Sequence, residues 1–338
     1  MEGIESQFIF KSFFRDAMTQ FDVFNGDADG ICALHQLRLI RQTDSVLVTG
    51  PKRDIALLGR VSAERGDSVT VLDISMEVNR AALLALIERG ARIDYFDHHV
   101  PGIVPTHDLL HAVIDTARDV CTSILVDRHL GGKHRIWAAV GAFGDSLSMA
   151  ARQLAATLVL QPASIDALQA LGESLNYNAY GNTEADLFVH PADLYTILHR
   201  YPDPFRFMQS ESLFRTIDAG RRKDMEMARS ARPAHVLSYG KIYILPDAAW
   251  SRRVRGVFSN QLAATLPGQA FAVLTPNDLG GYAVSVRAPL GAPHNAQQLC
   301  CLFPTGGGRV GAAGINHLPP DRLPDFVREF ENAFKPLT

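Results

Sequence analysis

Seven acidic and imidazole side chains in the first half of the sequence are spaced so that they could serve one chemical purpose. Asp27 and Asp29 lie in Asn25-Gly26-Asp27-Ala28-Asp29-Gly30, just after the apolar run FDVF (21–24). Asp73 follows VTVL (69–72), Asp97-His98-His99 follow RIDYF (92–96), and Asp145 ends AAVGAFG (138–144). Each group leaves the C-terminal end of a predicted strand or apolar run, and in open α/β sheets ligands bind at that edge. If the strands are neighbours the acids converge, and converging carboxylates raise one another's pKa unless a cation compensates. Mostly oxygen ligands with one or two imidazoles suit Mn²⁺ or Mg²⁺, and the imidazole favours Mn²⁺. Each group alone has a plainer reading. NGDADG is turn chemistry; Asp73 would cap a helix starting near Met76, and Asp145 one starting at Ser146. Asp97 would end a strand in solvent, and His98 and His99 would be ordinary loop residues. The joint order of the groups argues for a metal centre.

The elements that must position them alternate. Strand-like runs at 21–24, 45–48, 69–73, 92–96 and 112–114 are separated by helical patterns near 29–42, 54–64 and 76–89, the last stopping at Gly90. Alternation at this spacing predicts an α/β fold whose parallel sheet is covered on both faces. Residues 147–230 read as mainly helical, broken around 176–182 and 190–193. After Arg232-Pro233 come strand patterns at 235–245, 271–275 and 282–288, helices near 256–266 and 295–302, a glycine loop, and a last helix from about 321. The expected organisation is a metal-binding domain over 18–150, a helical connector over 151–231 and a smaller α+β domain over 232–338.

Bulk properties narrow the class. The 338 residues are 47% apolar and carry a formal charge of −3, which argues against a broadly basic nucleic-acid binder. Cys32, Cys121, Cys300 and Cys301 have no zinc spacing and read as reduced thiols of a cytoplasmic protein. The amino-terminal segment has no signal-peptide pattern. No run approaches the roughly 18 apolar residues of a membrane span.

The ordered set NGDADG, a lone Asp after VTVL, DHH after IDYF, and GAFGD resembles the DHH phosphoesterase superfamily, over about residues 20–150. Gly306-Gly307-Gly308-Arg309-Val310-Gly311-Ala312-Ala313-Gly314 is similar to the GGGHxxAAG signature of the substrate-binding domain that follows it in that superfamily. The helical middle matches nothing in this pattern. The resemblance implies a manganese-dependent phosphoesterase, with Mg²⁺ as the alternative ion. Asp27, Asp73, His98 and Asp145 would form one strong metal site, and Asp73 would bridge to a second. His99 would touch the scissile phosphate, and Asp97 would orient an imidazole. The second site departs from the family: the positions of a His and an Asp hold Phe21 and Asn25. Asp29 is the candidate substitute ligand.

Gly306, Gly307 and Gly308 would let backbone N–H groups approach an anion. Arg309, in place of the signature His, would grip phosphate, as would Arg287 on the preceding strand. A tight turn with close packing is the plainer reading of the glycines. Lys52-Arg53, after strand 45–48, could face the cleft, though a solvated helix start is preferred; Arg221-Arg222-Lys223 and Arg252-Arg253-Arg255 could track a nucleic-acid backbone but read as solvated faces, and Tyr177 and Tyr180 could stack on bases but read as packing residues. The expected substrate is a short oligonucleotide or a nucleotide phosphate, with no membrane partner; a homodimer is compatible with the sequence. A RecJ-like single-strand exonuclease, a cyclic-dinucleotide phosphodiesterase and a nucleotide-binding protein with a decayed metal site are the alternatives, and a pyrophosphatase is disfavoured by the C-terminal pattern.

Overall fold

A computed structural model describes residues 18–289 and 294–335; the amino-terminal segment read for a signal, residues 1–17, lies outside them. The first half runs β1 (Gln20–Phe24), α1 (Ala28–Ile40), β2 (Ser45–Val48), β3 (Ser68–Leu72), α2 (Met76–Glu88), β4 (Arg92–Asp97), β5 (Leu110–Ile114), α3 (Thr122–His129) and α4 (Arg135–Gly144). Its five strands form one sheet in the order β2-β1-β3-β4-β5, every pair parallel. Alternate residues serve opposite faces, as strand geometry requires. Phe21, Val23, Val69, Val71, Ile93 and Tyr95 pack with Leu83 and Leu86 of α2. Phe24, Leu72 and Phe96 face the core made with α1, α3 and α4. The predicted parallel sheet covered on both faces is what the chain forms.

Three elements differ from the sequence reading. The segment near 54–64 makes only a 3₁₀ turn, Leu57–Arg60. Asn79 of α2 takes over its backbone, donating to the Ile55 carbonyl (2.6 Å) and accepting from Leu58 N (3.1 Å), so a longer helix would lose both bonds. The AAVGAFG run is the end of a helix, α4. Its glycines let that helix close in: a Cβ at Gly141 would lie 2.1 Å from Ser123 Oγ, and one at Gly144 2.3 Å from Ala28 Cβ. The three consecutive glycines form a strand, described below.

Five helices follow: α5 (Ser148–Ala156), α6 (Pro162–Asn178), α7 (Pro191–Leu198), α8 (Pro204–Ser210) and α9 (Ser212–Ser230). Leu168, Leu171, Leu194, Leu198 and Phe207 share one core with Phe24, Leu72 and Trp137. The last part runs β6 (His235–Leu237), β7 (Gly240–Ile244), α10 (Ala249–Thr265), β8 (Ala270–Pro276), β9 (Tyr282–Arg287), α11 (Ala296–Cys300), β10 (Gly306–Gly308), β11 (Ala312–Leu318) and α12 (Leu323–Phe334). Its sheet has the order β10-β11-β9-β8-β7-β6, and only β7 and β8 are parallel. Tyr177 and Met225 of the middle helices pack with Tyr243, Phe258 and Phe271 of this part, so the helices touch both sheets. Among the described residues no helix is long and apolar enough to cross a membrane.

Candidate active site

β1, β3 and β4 are adjacent, so their C-terminal ends bring Asp27, Asp73 and the Asp97-His98-His99 run together. Asp27 caps α1: its Oδ1 accepts from Asp29 N (3.0 Å) and Gly30 N (3.2 Å). The turn before it is tight, and a Cβ at Gly26 would lie 2.1 Å from the Gly50 carbonyl oxygen. Asp73 stands one residue past β3 in the left-handed region (φ 59°), a conformation Asp tolerates better than most residues. Its N–H donates to Phe96 O (3.1 Å), which fixes the bend. The cap of α2 is Ser75, not Asp73. His98 Nε2 lies 3.3 Å from Asp73 Oδ1 and 3.9 Å from Asp145 Oδ2. His99 Nδ1 is bonded to Asp97 Oδ1 at 2.7 Å. One ligand atom each from Asp73, His98 and His99 fall within 4.8 Å of one another. Asp145 reaches the group from the last turn of α4, not from a strand.

Asp29 requires a correction. Its two oxygens accept from Thr122 N and Ser123 N, both at 2.7 Å, and the side chain is fully buried. It holds the start of α3 and is not turned to the other acids as a substitute ligand. Phe21 lies in the core, and Asn25 Oδ1 accepts from Asp27 N (3.3 Å).

Lys52, read from sequence as a solvated residue, enters the cluster. Its Nζ is 2.5 Å from Asp27 Oδ2, 3.5 Å from Asp145 Oδ1 and 3.3 Å from Asn176 Oδ1. The charge balance is unequal. Burial raises the Asp27 carboxyl, but the charge and hydrogen bond of Lys52 outweigh it and hold the group below its usual range. Asp73 is pushed well above its usual range by burial, with Asp27, Asp29 and Asp145 adding and Lys52 opposing. Asp145 is pushed up to about 6 by burial, which Lys52 opposes and Asp29 and Asp27 reinforce. Asp145 also ends a helix, where the negative pole of the dipole disfavours a carboxylate. One lysine therefore leaves the cluster short of positive charge. A divalent ion fits donors such as Asp73, His98 and His99, with Asp145 beside His98. Asp97 is fully buried and, among the described residues, its Oδ2 has no hydrogen-bond partner, so its side-chain bond is the one to His99. That bond, against burial, raises the pKa of the His99 imidazole.

Basic groups gather on the second sheet. Arg255 of α10 donates to Thr275 Oγ1 and Asn182 Oδ1. Arg53 donates to that same Asn182 oxygen (2.7 Å) and to Asn316 Oδ1 on β11 (2.9 Å), joining the two halves. Arg287 donates to Asn260 Oδ1 (2.7 Å), Ser285 Oγ and the Val286 carbonyl. No carboxylate bonds any of the three among the described residues. Burial, then the Arg53 charge, brings the Arg255 pKa down to about 10. Tyr180 ties the two walls together, since its phenol feels Lys52, Asp27 and Asp145 on one side and Arg287 on the other. A cleft of about 450 Å³ opens between Pro51, Arg53, Asn182 and Ala185.

Gly306–Gly308 form an edge strand paired with β11 rather than a loop. A Cβ at Gly306 would overlap the Cys300 carbonyl and one at Gly308 would meet Ala313, so both serve packing; Gly307 faces open space. Arg309 is exposed at the hairpin tip. The other basic clusters are paired: Arg221 with Glu173 and Asp218, Arg252 with Asp186 and Asp247, Arg253 with Asp224. Tyr177 is buried and bonded to Asp224. The sequence reading left Lys52 and Arg255 out of the site. The place of Lys52, four residues past the end of β2, was a signal for the cleft, but a solvated helix start was the preferred reading. Nothing in the sequence separates Arg255 from its paired neighbours.

The chain superposes on solved structures over nearly its whole length. Exonuclease RecJ bound to manganese matches with a TM-score of 0.63 at 18% identity, over 94% of this chain and 90% of that one. The DHH domain of a member of a ribosomal-protein family matches with a TM-score of 0.59 at 13% identity, over 93% and 86%. This chain has the fold of these DHH-domain structures. The pGpG-specific phosphodiesterase PggH from Vibrio cholerae shares it, with a TM-score of 0.57 at 15% identity over 94% of this chain and 100% of that one. No protein-family model and no curated protein matches the sequence.

Proposed function

We propose that the chain is a divalent-metal-dependent phosphoesterase acting on short nucleotide substrates, with Mn²⁺ the preferred ion. The observation that carries this reading is a carboxylate cluster short of positive charge, with Asp73, His98 and His99 donor atoms within 4.8 Å of one another and Tyr180 between the cluster and Arg287. The solved neighbours include an exonuclease with manganese and a dinucleotide phosphodiesterase, which supports the same class.

Asp73, His98 and Asp145 would hold the ion. When bound, it would supply an activated water and offset charge on the phosphate. His99, oriented by Asp97, would place a cationic N–H on a phosphate oxygen. Arg255, Arg53 and Arg287 would bind a second phosphate away from the one cut, their amide and hydroxyl partners giving way to stronger charge-assisted bonds.

The test is turnover, with Mn²⁺ and with excess chelator, of pAp, a dinucleotide, a long single strand, a cyclic dinucleotide and pyrophosphate. The expected result is chelator-sensitive hydrolysis of the first two. Full activity in excess chelator would remove the metal from the reading. Phe21, Asn25 and Lys52 favour a second reading, a nucleotide-binding protein without turnover. Binding of these ligands with no hydrolysis of any would select it.

A further inference from the structure

Two features of the acidic cluster point the same way. The two positions at which the family resemblance would put ligands of a second ion hold a buried phenylalanine, Phe21, and an asparagine committed to a turn, Asn25. A lysine ammonium stands on the Asp27 side, bonded to Asp27 and Asn176 and 3.5 Å from Asp145. The lysine is aimed there by its backbone: Lys52 N donates to Ala179 O (3.0 Å), and Asp54 N closes a turn on Pro51 O (2.8 Å). The Gly50 carbonyl before it packs against Gly26. About a third of the lysine side chain is exposed, while Asp27 is 1% exposed. The cation therefore lies on the exposed side of Asp27.

We propose that the Lys52 ammonium is a built-in cation that takes the place of a second divalent ion, so that the centre works with one exchangeable ion on the Asp73–His98 side and one tethered charge on the Asp27 side. The proposal rests on the reading of this cluster as a metal centre. A tethered monocation offsets Asp27 and Asp145 without further anionic partners. Its partly exposed ammonium also keeps N–H donors accessible to solvent.

The test is the count of Mn²⁺ ions bound by the metal-stripped full chain, by titration calorimetry and by the electron paramagnetic resonance signal of free Mn²⁺. The wild type should bind one ion per chain. Lys52→Met, which frees Asp27 and Asp145, should bind two, and the spectrum should show coupling between them. Lys52→Arg, which keeps a cation, should bind one. Two ions in the wild type, or one in Lys52→Met, overturns the role of Lys52 while the metal-centre reading stands. No ion bound by any of the three overturns both. If circular dichroism shows Lys52→Met unfolded, the wild type and Lys52→Arg decide, since two ions in either overturns the proposal.

Discussion

On the edge of the parallel sheet, Asp27, Asp73 and Asp145 crowd around one lysine and hold more negative charge than it offsets. Facing them across the cleft, Arg53, Arg255 and Arg287 bond to amides, hydroxyls and a carbonyl, and among the described residues no carboxylate is hydrogen-bonded to any of the three. The acids are fixed by backbone: a helix cap, a left-handed bend held by Phe96 O, and a helix end. The arginines come from a loop, a helix and a strand, on long side chains. A rigid acidic wall suits chemistry on a defined phosphorus, and a looser basic wall suits holding the rest of a substrate. Changes to the first should act on rate and metal, and changes to the second on binding.

The largest effect should come from Asp73→Asn. A metal ligand contributes several kcal/mol to the transition state, which is on the order of a hundred- to a thousandfold in rate. Mn²⁺ binding should be lost with it, while the melting temperature of the metal-free protein should not fall, because the change relieves carboxylate crowding. Unchanged rate and metal affinity would reduce the acidic wall to helix caps and turns.

Asp97→Asn comes next. It should lower kcat by roughly ten- to a hundredfold, as for partners that orient a functional imidazole, by leaving His99 in the wrong tautomer. The Mn²⁺ affinity held by Asp73 and His98 should change far less. Equal losses in both would place His99 among the ligands.

On the basic wall, Arg255→Met should raise KM by about ten- to a hundredfold, the weight of one charge-assisted phosphate contact of roughly 1.5–3 kcal/mol. kcat should be spared. A fall in kcat at constant KM would erase the division between the walls.

Proton competition should be weaker. Asp145, facing Lys52, Asp27, Asp29 and His98, is held near pH 6 in the metal-free chain against an ordinary value of 3.8. Mn²⁺ affinity should rise by up to about tenfold per pH unit below 6, since each released proton is worth one such factor, and level off above. Metal-free stability should move the other way. Between 3.8 and about 6 the folded chain keeps a proton that the unfolded chain has released, so this contribution is lost as pH rises through the window. Calorimetry and thermal melts at several pH values check both.

Arg309→Ala should have the smallest effect, a few-fold in KM, because an exposed charge is screened by solvent. An effect larger than that of Arg255→Met would show that the hairpin tip closes on the substrate.

The strand-end acids were legible because local patterns fix them. Runs such as VTVL and RIDYF end abruptly in polar residues, and parallel strands put those ends on one edge. Asp145 was legible as a member of the group but not as a helix end, since a short apolar run has no period to tell strand from helix. Asp29 was misread because its partners, Thr122 N and Ser123 N, lie more than ninety positions away. By itself the sequence determined the α/β order, the parallel sheet and the cluster of Asp27, Asp73, His98 and Asp145, because these follow from hydrophobic period and strand ends. Only the tertiary structure decided that Lys52 enters that cluster and that Arg255, alone of its basic run, is bonded to no carboxylate among the described residues. A charge is defined by what surrounds it in space, and those neighbours come from α6, β8 and the 179–183 turn, far along the chain.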